Sequence, residues 1–215
     1  MNRPLIHQAS SLLLSYPGPE WPQRLHTVRE ALRGLPGTEV ALLTGFCERV
    51  TGTDTLALAA DYVHAFDRSR RRTLHLTYYT DGDTRRRGAS LARLKSLYRQ
   101  HGWQPAGEEL PDFLPVMLEF AARTPKEGLR LLSEHRAGVE LLRYALEEHH
   151  GPYADILRAV CATLPGPSPA GREEARALAR TGPPVETVGL DAFPARPTAA
   201  RGPSTLAPDA QEERR

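Results

Sequence analysis

Apolar residues recur at three- and four-residue spacing through most of the first 165 residues of the chain. This spacing places them on one face of a helix, and such a face is stable only when it is buried against another element. No strands that would pair with one another are evident. The sequence therefore predicts an all-α fold, with about eight to ten helices in a single domain at the usual helix length.

The helical pattern ends where the composition changes. Nine of the 19 prolines lie between Pro165 and Pro208, and large apolar residues become sparse there. We predict a helical domain over residues 1–165 and a mostly disordered, proline-rich tail over residues 166–215, with one short helix at 173–180. Disorder is expected because such a segment buries too little apolar surface to offset the entropy of ordering the chain.

One polar stretch interrupts the helical pattern. Residues 67–83 lose the helical period, and the β-prone run 73–79 predicts a short extended segment. Asp81–Gly82 is a turn signal, and the next helix is predicted over residues 84–101. The carboxylates and arginines of this stretch form either a solvated surface of ion pairs or an ordered polar loop that builds a recognition site.

Charge and cysteine content restrict the class of protein. The 28 basic and 26 acidic residues leave a net charge of +2, which gives no general attraction to nucleic acid or to an anionic membrane. Two distant cysteines make neither a disulfide framework nor a zinc site. No segment approaches the unbroken apolar length of a membrane span, so we expect a cytoplasmic protein without stable membrane association.

The motifs of common catalytic and cofactor sites are missing from the sequence. It contains no glycine-rich phosphate loop, no G-x-S-x-G nucleophile elbow and no H-E-x-x-H metal motif. Asp81 and Asp83 are spaced like the start of a calcium loop, but Arg86 stands at the position that requires glycine. We therefore predict no catalytic residue, no metal ligand and no bound cofactor, in a protein that is not an enzyme.

Two other functions stay open at this point. His75 lies near Tyr78, Tyr79 and Asp83, so it is either an acid–base group that works with Asp83 in a small enzyme or a hydrogen-bonding residue that holds the loop on the core. The second interpretation is favoured because no nucleophile or metal set accompanies His75. The arginine runs leave a helical, nucleic-acid-binding regulator as the other alternative.

Several short motifs occur in a fixed order over most of residues 5–164. They are LSYP at 14–17, YVHAFD at 62–67, HLT at 75–77, GDTRRRG at 82–88, ELPDFLP at 109–115, LEF at 118–120 and PYA at 152–154. In these motifs the chain resembles the NarJ family, the assembly chaperones of respiratory nitrate reductase, which are also called its delta subunit. Several matches in the right order are far more specific than any single one.

The resemblance implies a function. Members of the family are helical, cytoplasmic proteins that bind the catalytic alpha subunit of nitrate reductase in its apo form, including the N-terminal segment of that subunit. They keep the subunit competent for insertion of the molybdenum cofactor and delay its docking at the membrane. The implied partner is therefore the apo alpha subunit, and neither nucleic acid nor a membrane.

A helical domain with an ordered polar loop suits recognition of a client helix in a groove. We place the groove between the helix that ends at Phe66 and the helix that starts at Phe113, with Asp67 and Asp83 facing basic client residues. The predicted peptide-binding residues are Tyr62, Phe66, Asp67, His75, Tyr79, Asp83, Phe113 and Met117. A second set is predicted to brace the loop, namely Gly82, Arg85, Gly88, Glu109, Pro111 and Asp112.

Overall fold

The structure is a computed structural model that describes residues 2–105 and 107–181. Within these ranges the chain forms eleven α-helices and no sheet strand: α1 Arg3–Leu14, α2 Trp21–Leu32, α3 Thr38–Val50, α4 Thr55–Tyr62, α5 Thr77–Asp81, α6 Arg85–Gln100, α7 Leu114–Arg123, α8 Pro125–Glu134, α9 Arg136–His149, α10 Ala154–Thr163 and α11 Arg172–Thr181. The predicted all-α fold is confirmed. Ten of these helices lie before residue 165, in agreement with the eight to ten predicted for the domain, and one of them, the five-residue α5, lies in the stretch that lost the helical period.

Three helices form the centre of the domain. Helix α1 packs against α7 and α10, and α10 also packs against α3 and α9. The side chains at these contacts are fully buried, among them Leu13, Leu118, Phe120, Ile156 and Val160. Each such side chain stabilises the fold by roughly 1.5–3 kcal/mol through removal of apolar surface from water. The domain is therefore held by the helix faces that the spacing of apolar residues predicts.

Two short turns connect α4 to α5. The last turn of α4 continues as a π-helical turn, Val63–Asp67, which is followed by a 3-10 turn, Arg70–Arg72. The predicted extended run at 73–79 is mostly wrong: a single antiparallel bridge joins His75 to Phe113, and the chain is helical again from Thr77 onward. Helix α6 lies within one residue of the range predicted for it at both ends.

The described structure continues past the predicted domain limit at residue 165. Helix α11, predicted at 173–180, is present and packs against α9 and α5. Most of the predicted disordered tail, residues 182–215, lies outside the described residues. None of the helices in the described part of the chain is both long and apolar enough to cross a membrane.

The buried imidazole of His7 makes folding sensitive to acid. It lies in α1 with its Nε2 atom 2.8 Å from the Thr163 hydroxyl. Burial lowers the pKa of His7 to about 4, and the nearby charge of Arg3 acts in the same direction. Because the unfolded chain takes up this proton near pH 6.5, the contribution of neutral His7 is complete above about pH 6.5 and declines as the pH falls toward about 4.

We expect His7→Gln to remove part of this pH dependence. Between about pH 7.5 and pH 5, the free energy of unfolding of the unmodified protein should fall by about 2 kcal/mol more than that of the variant. Urea unfolding at the two pH values measures the difference, and His26→Gln on the exposed side of α2 is the control. Equal losses in the protein and in His7→Gln would show that His7 does not carry the effect.

Candidate functional site

A backbone bridge joins the polar stretch to the start of α7. The amide of Leu76 donates to the carbonyl of Asp112 at 3.0 Å, and the amide of Leu114 donates to the carbonyl of Leu74 at 2.8 Å. His75 and Phe113 lie opposite each other in this bridge, with ring centroids 5.4 Å apart. The bridge therefore joins two segments that are far apart in sequence. The rings of His75 and Phe113 lie between these segments and are partly exposed.

The carboxylate of Asp112 is the centre of a buried polar network. It is 0% exposed and accepts hydrogen bonds from His75 Nδ1 at 3.0 Å and Thr77 Oγ1 at 2.5 Å. The guanidinium of Arg87 lies 3.4 Å from the same carboxylate and 3.3 Å from the Thr77 hydroxyl. We call these four residues the Asp112 network. It ties α5, the first turn of α6 and the entry to α7 to one point.

Opposing effects act on the pKa of Asp112. Burial alone raises it, but hydrogen bonds from His75 and Thr77 and the nearby Arg87 guanidinium outweigh burial and hold the pKa below its usual range. The carboxylate is therefore ionised at neutral pH and anchors its three donors. Thr77 is itself buried and donates to Asp112 rather than to His75, so these contacts do not activate it as a nucleophile.

Arg72 holds the π-helical turn. His64 and Ala65 lie in the last turn of this helical segment, where the carbonyls have no further backbone amide of the helix to accept from. Arg72 supplies donors instead, since its Nε donates to the carbonyl of Ala65 at 2.5 Å and its Nη2 to the carbonyl of His64 at 3.1 Å. The Tyr79 hydroxyl in turn lies 3.0 Å from the carbonyl of Thr73. The polar stretch is thus an ordered loop, bound by side chains to its own backbone.

Three of the predicted peptide-binding residues are core residues. Tyr62 and Phe66 are buried, with ring centroids 4.8 Å apart, and the Tyr62 hydroxyl donates to the carbonyl of Leu14. Met117 is 0% exposed. The prediction treats these apolar residues as open groove walls, but α1 packs against α7, which carries Met117, and the Tyr153 ring packs against Tyr62 and Phe66. A client peptide reaches them only if the core opens.

The other predicted peptide-binding residues are accessible to different degrees. Asp67 and Asp83 are exposed, and the side chain of His75 is 30% exposed. Phe113 and Tyr79 are half-buried. The structure brings His75 into contact with Phe113 and with Asp112, not with the Asp83 that the enzyme alternative requires. Asp83 instead lies 3.9 Å from Arg87 on the surface.

The residues predicted to brace the loop divide into two groups. Gly82 ends α5 with a φ of 59°, a left-handed conformation that glycine adopts without strain. Pro111 accepts a hydrogen bond from the buried Tyr98 hydroxyl at 2.6 Å, and Asp112 is the centre of the network. Arg85 and Glu109 are exposed, and no side-chain hydrogen bond or ion pair within residues 2–105 and 107–181 includes them.

The bracing expected of Arg85 is provided by Arg87, and Gly88 is not needed for close packing. Gly88 lies inside α6, and a Cβ atom there would meet nothing within 4 Å. The helical spacing in the sequence could have identified Arg87 as a bracing residue. The buried residues Leu94 and Tyr98 lie seven and eleven positions after Arg87, so Arg87 shares their inward face of α6. Arg72 and Thr77 carry no comparable signal.

A surface cleft lies beside α6. This cleft, of about 320 Å³, lies between α6 and the following loop and is lined by Tyr98, Trp103, Glu109 and Pro111 among others. This volume is at the small end of the range for ligand sites, roughly 300–1,000 Å³. No group of three histidine, cysteine, aspartate or glutamate side chains within the described ranges is arranged to hold a metal ion.

Comparison with known proteins assigns the family. The sequence model of the family described as nitrate reductase delta subunit matches residues 29–159, more than half of the chain. The chain therefore belongs to the nitrate reductase delta subunit family, and the resemblance to NarJ proteins is confirmed. This match includes the π-helical turn and the Asp112 network, and it ends before α11.

The relatives include named assembly chaperones. The "Probable nitrate reductase molybdenum cofactor assembly chaperone NarJ" of Bacillus subtilis is 34% identical over 165 residues, which cover 76% of this chain and 90% of that protein. NarJ of Escherichia coli K12 is 34% identical over 148 residues, covering 67% of this chain and 63% of that protein. The "Nitrate reductase-like protein NarX" of Mycobacterium tuberculosis H37Rv is 41% identical over 160 residues, but the match spans 24% of NarX.

A solved structure has the same fold. The crystal structure of an Archaeoglobus fulgidus protein, described as a redox enzyme maturation protein, superposes with a TM-score of 0.58 at 26% identity. The match covers 76% of this chain and 93% of that one.

The two NarJ relatives are named as assembly chaperones and not as catalysts, in agreement with the prediction that this chain is not an enzyme.

Proposed function

We propose that this protein is a nitrate reductase assembly chaperone that binds the apo form of the catalytic alpha subunit, including its N-terminal segment, before the cofactor is inserted and before the enzyme docks at the membrane. The main support is membership of the delta subunit family, together with a match that spans 90% of a NarJ protein. We place the chaperone in the cytoplasm, where an apo subunit awaiting its cofactor would be found.

The polar loop supports a binding role. The Asp112 network fixes the loop without leaving a group poised for chemistry, and it holds His75 and Phe113 as a paired, partly exposed surface. Asp67 and Asp83 keep their carboxylates in solvent, where they can select a client segment that carries basic residues. A fixed surface of this kind binds without the entropic cost of ordering a loop.

Calorimetric titration with a synthetic peptide tests the proposal. The peptide copies about 15 N-terminal residues of the alpha subunit encoded in the same genome, a length of about four helical turns. We expect a Kd at or below about 1 μM at moderate salt and no heat with a scrambled peptide. No binding of this peptide would exclude the N-terminal segment as the recognised element.

The exposed carboxylates should tune this affinity. We expect Asp67→Ala combined with Asp83→Ala to weaken peptide binding by about three- to tenfold, with the loss shrinking at high salt, because both charges are exposed at the rim of the surface. The matched control is Glu48→Ala, which removes an exposed carboxylate from α3. Equal affinities of the double variant and the control would show that these two aspartates do not face the client.

A further inference from the structure

Helix α11 is held against the domain by its linker as well as by its own contacts. Arg136 of α9 donates to the carbonyl of Pro165 and lies 3.4 Å from the Ser168 hydroxyl. The Tyr144 hydroxyl, also in α9, donates to the carbonyl of Pro169 at 2.6 Å. These contacts guide the chain along α9, so that α11 lies over α9 and α5. The helix follows the region that matches the delta subunit family.

The face by which α11 contacts the domain is small. Among its described side chains Ala175 is fully buried, Leu178 and Ala179 are half-buried, and Arg172 pairs with Glu148 at 2.6 Å. Burial of one methyl group together with partial burial of two further apolar side chains removes only a modest apolar area from water. A ten-residue helix is also shorter than isolated helices need to be to persist in water. The docked position of α11 is therefore only weakly favoured.

The contact also leaves buried donors unpaired. The Nε atoms of Arg136 and Arg172 are both buried and have no hydrogen-bond partner among the described residues. Arg136 as a whole is 9% exposed. A buried donor without an acceptor costs about 1–3 kcal/mol. Arg172 belongs to α11, whereas Arg136 belongs to α9 and contacts the linker at Pro165 and Ser168. A client segment that replaces both the linker and α11 and presents an acceptor to Arg136 would therefore fit the surface of α9 better.

We propose that the surface formed by α9 and α5 is a docking site for a client helix and that α11 is its built-in, displaceable occupant. The proposal rests on the proposed function, because it takes the N-terminal segment of the alpha subunit as the client. The contacts of α11 define the expected partner. It is an amphipathic helix with small apolar residues on its contact face, a basic residue that pairs with Glu148 and a hydrogen-bond acceptor for Arg136. Tyr79, a predicted peptide-binding residue, lies in α5 and so belongs to this surface.

Displacement makes client affinity depend on how firmly α11 is docked. If α11 covers the site most of the time, the observed Kd is the intrinsic Kd divided by the uncovered fraction. Variants that release α11 should therefore bind the client more tightly, although they lose contacts within the folded protein. A purely structural α11 would give unchanged or weaker binding.

The test compares three full-length proteins in the peptide titration described above. Arg172→Glu combined with Ala175→Glu removes the pair with Glu148 and places a charge at the buried position, whereas Arg180→Glu adds the same kind of charge at an exposed position of α11. We expect the double variant to bind the client peptide at least about tenfold more tightly than the unmodified protein and Arg180→Glu to bind within about twofold of it. Trypsin cleavage after Arg176 should accelerate in the double variant alone.

The other possible outcomes distinguish failure of the docking site from failure of the proposed function. Unchanged or weaker binding by a double variant whose α11 is released overturns the docking site but leaves the proposed function intact. Failure of the double variant to release α11 also overturns it, because the weak docking is then wrong. Absence of binding in all three proteins rejects both the docking site and recognition of the N-terminal segment. A fluorescent peptide of residues 171–181 adds a direct readout, since it should bind the double variant and be displaced by the client peptide.

Discussion

Asp112→Ala is expected to reduce the free energy of unfolding by about 3 kcal/mol, because it leaves His75, Thr77 and Arg87 without the carboxylate that they share. Removal of one partner from a buried ion pair is costly, since the remaining charge and donors stay desolvated. The midpoint of urea unfolding at neutral pH measures the loss. The polar loop should also become more open to proteolysis than the rest of the domain, because the network fixes it.

The control for this prediction is Asp83→Ala. Asp83 contacts the same Arg87, but at 3.9 Å and with 71% of its side chain exposed. Exposed pairs of this kind contribute about 0–1 kcal/mol, so the control should stay within about 0.5 kcal/mol of the unmodified protein. Similar losses in the two variants would mean that the buried position of Asp112 has no special role.

Gly128→Ala is expected to be the most disruptive change of a single methyl group, with a loss of about 3 kcal/mol or more in stability. Gly128 lies where α8 crosses α7, and a Cβ atom there would lie 2.1 Å from the Cα of Ala121. That neighbour is backbone, so it cannot rotate away. The helices would have to separate, and the contacts of Leu131 and Leu132 with the core would loosen. Thermal and urea unfolding both measure the loss.

Gly88→Ala is the matched control in α6. The same substitution there meets open space, and alanine favours a helix over glycine by about 1 kcal/mol. We expect this variant to be stabilised by about 0.5–1 kcal/mol. A loss of stability in Gly88→Ala, or a neutral Gly128→Ala, would contradict the packing of α6 or of the α7–α8 crossing.

The sequence predicted the helices well because each buries an apolar stripe that can be read directly. The all-α fold, the range of α6 and the short helix at α11 all follow from this pattern and its boundary signals. The prediction of an extended run at 73–79 is mostly wrong, because the β-prone residues there are buried without being paired in a strand. Leu74 and Leu76 are buried, and Thr77 is bound to Asp112, while the backbone forms only one bridge.

The candidate site was harder to predict because its contacts join distant parts of the chain. Asp112 was identified as a bracing residue, but nothing local indicates that its donors are 25, 35 and 37 positions away. The sequence pattern places the apolar residues Tyr62, Phe66 and Met117 in a groove, because an apolar stripe does not show whether the protein itself or a partner covers it. Packing of α1 against α7, and of Tyr153 against Tyr62 and Phe66, decides that question.

The position of α11 connects the fold to the proposed function. The ordered loop and its Asp112 network give a fixed surface, whereas α11, which packs against α9 and α5, is the displaceable part in our proposal. A chaperone must release its client once assembly is complete. Competition between α11 and the client would limit the affinity and so favour release.

Binding to the intact alpha subunit tests the central proposal most directly. The affinity of the full-length protein would be measured by calorimetry for the subunit prepared without its molybdenum cofactor and for the cofactor-loaded subunit. We predict that the apo subunit binds at least about tenfold more tightly, since a chaperone that acts before cofactor insertion must distinguish the two forms. Equal affinity for both forms, or binding to neither, would contradict the proposal.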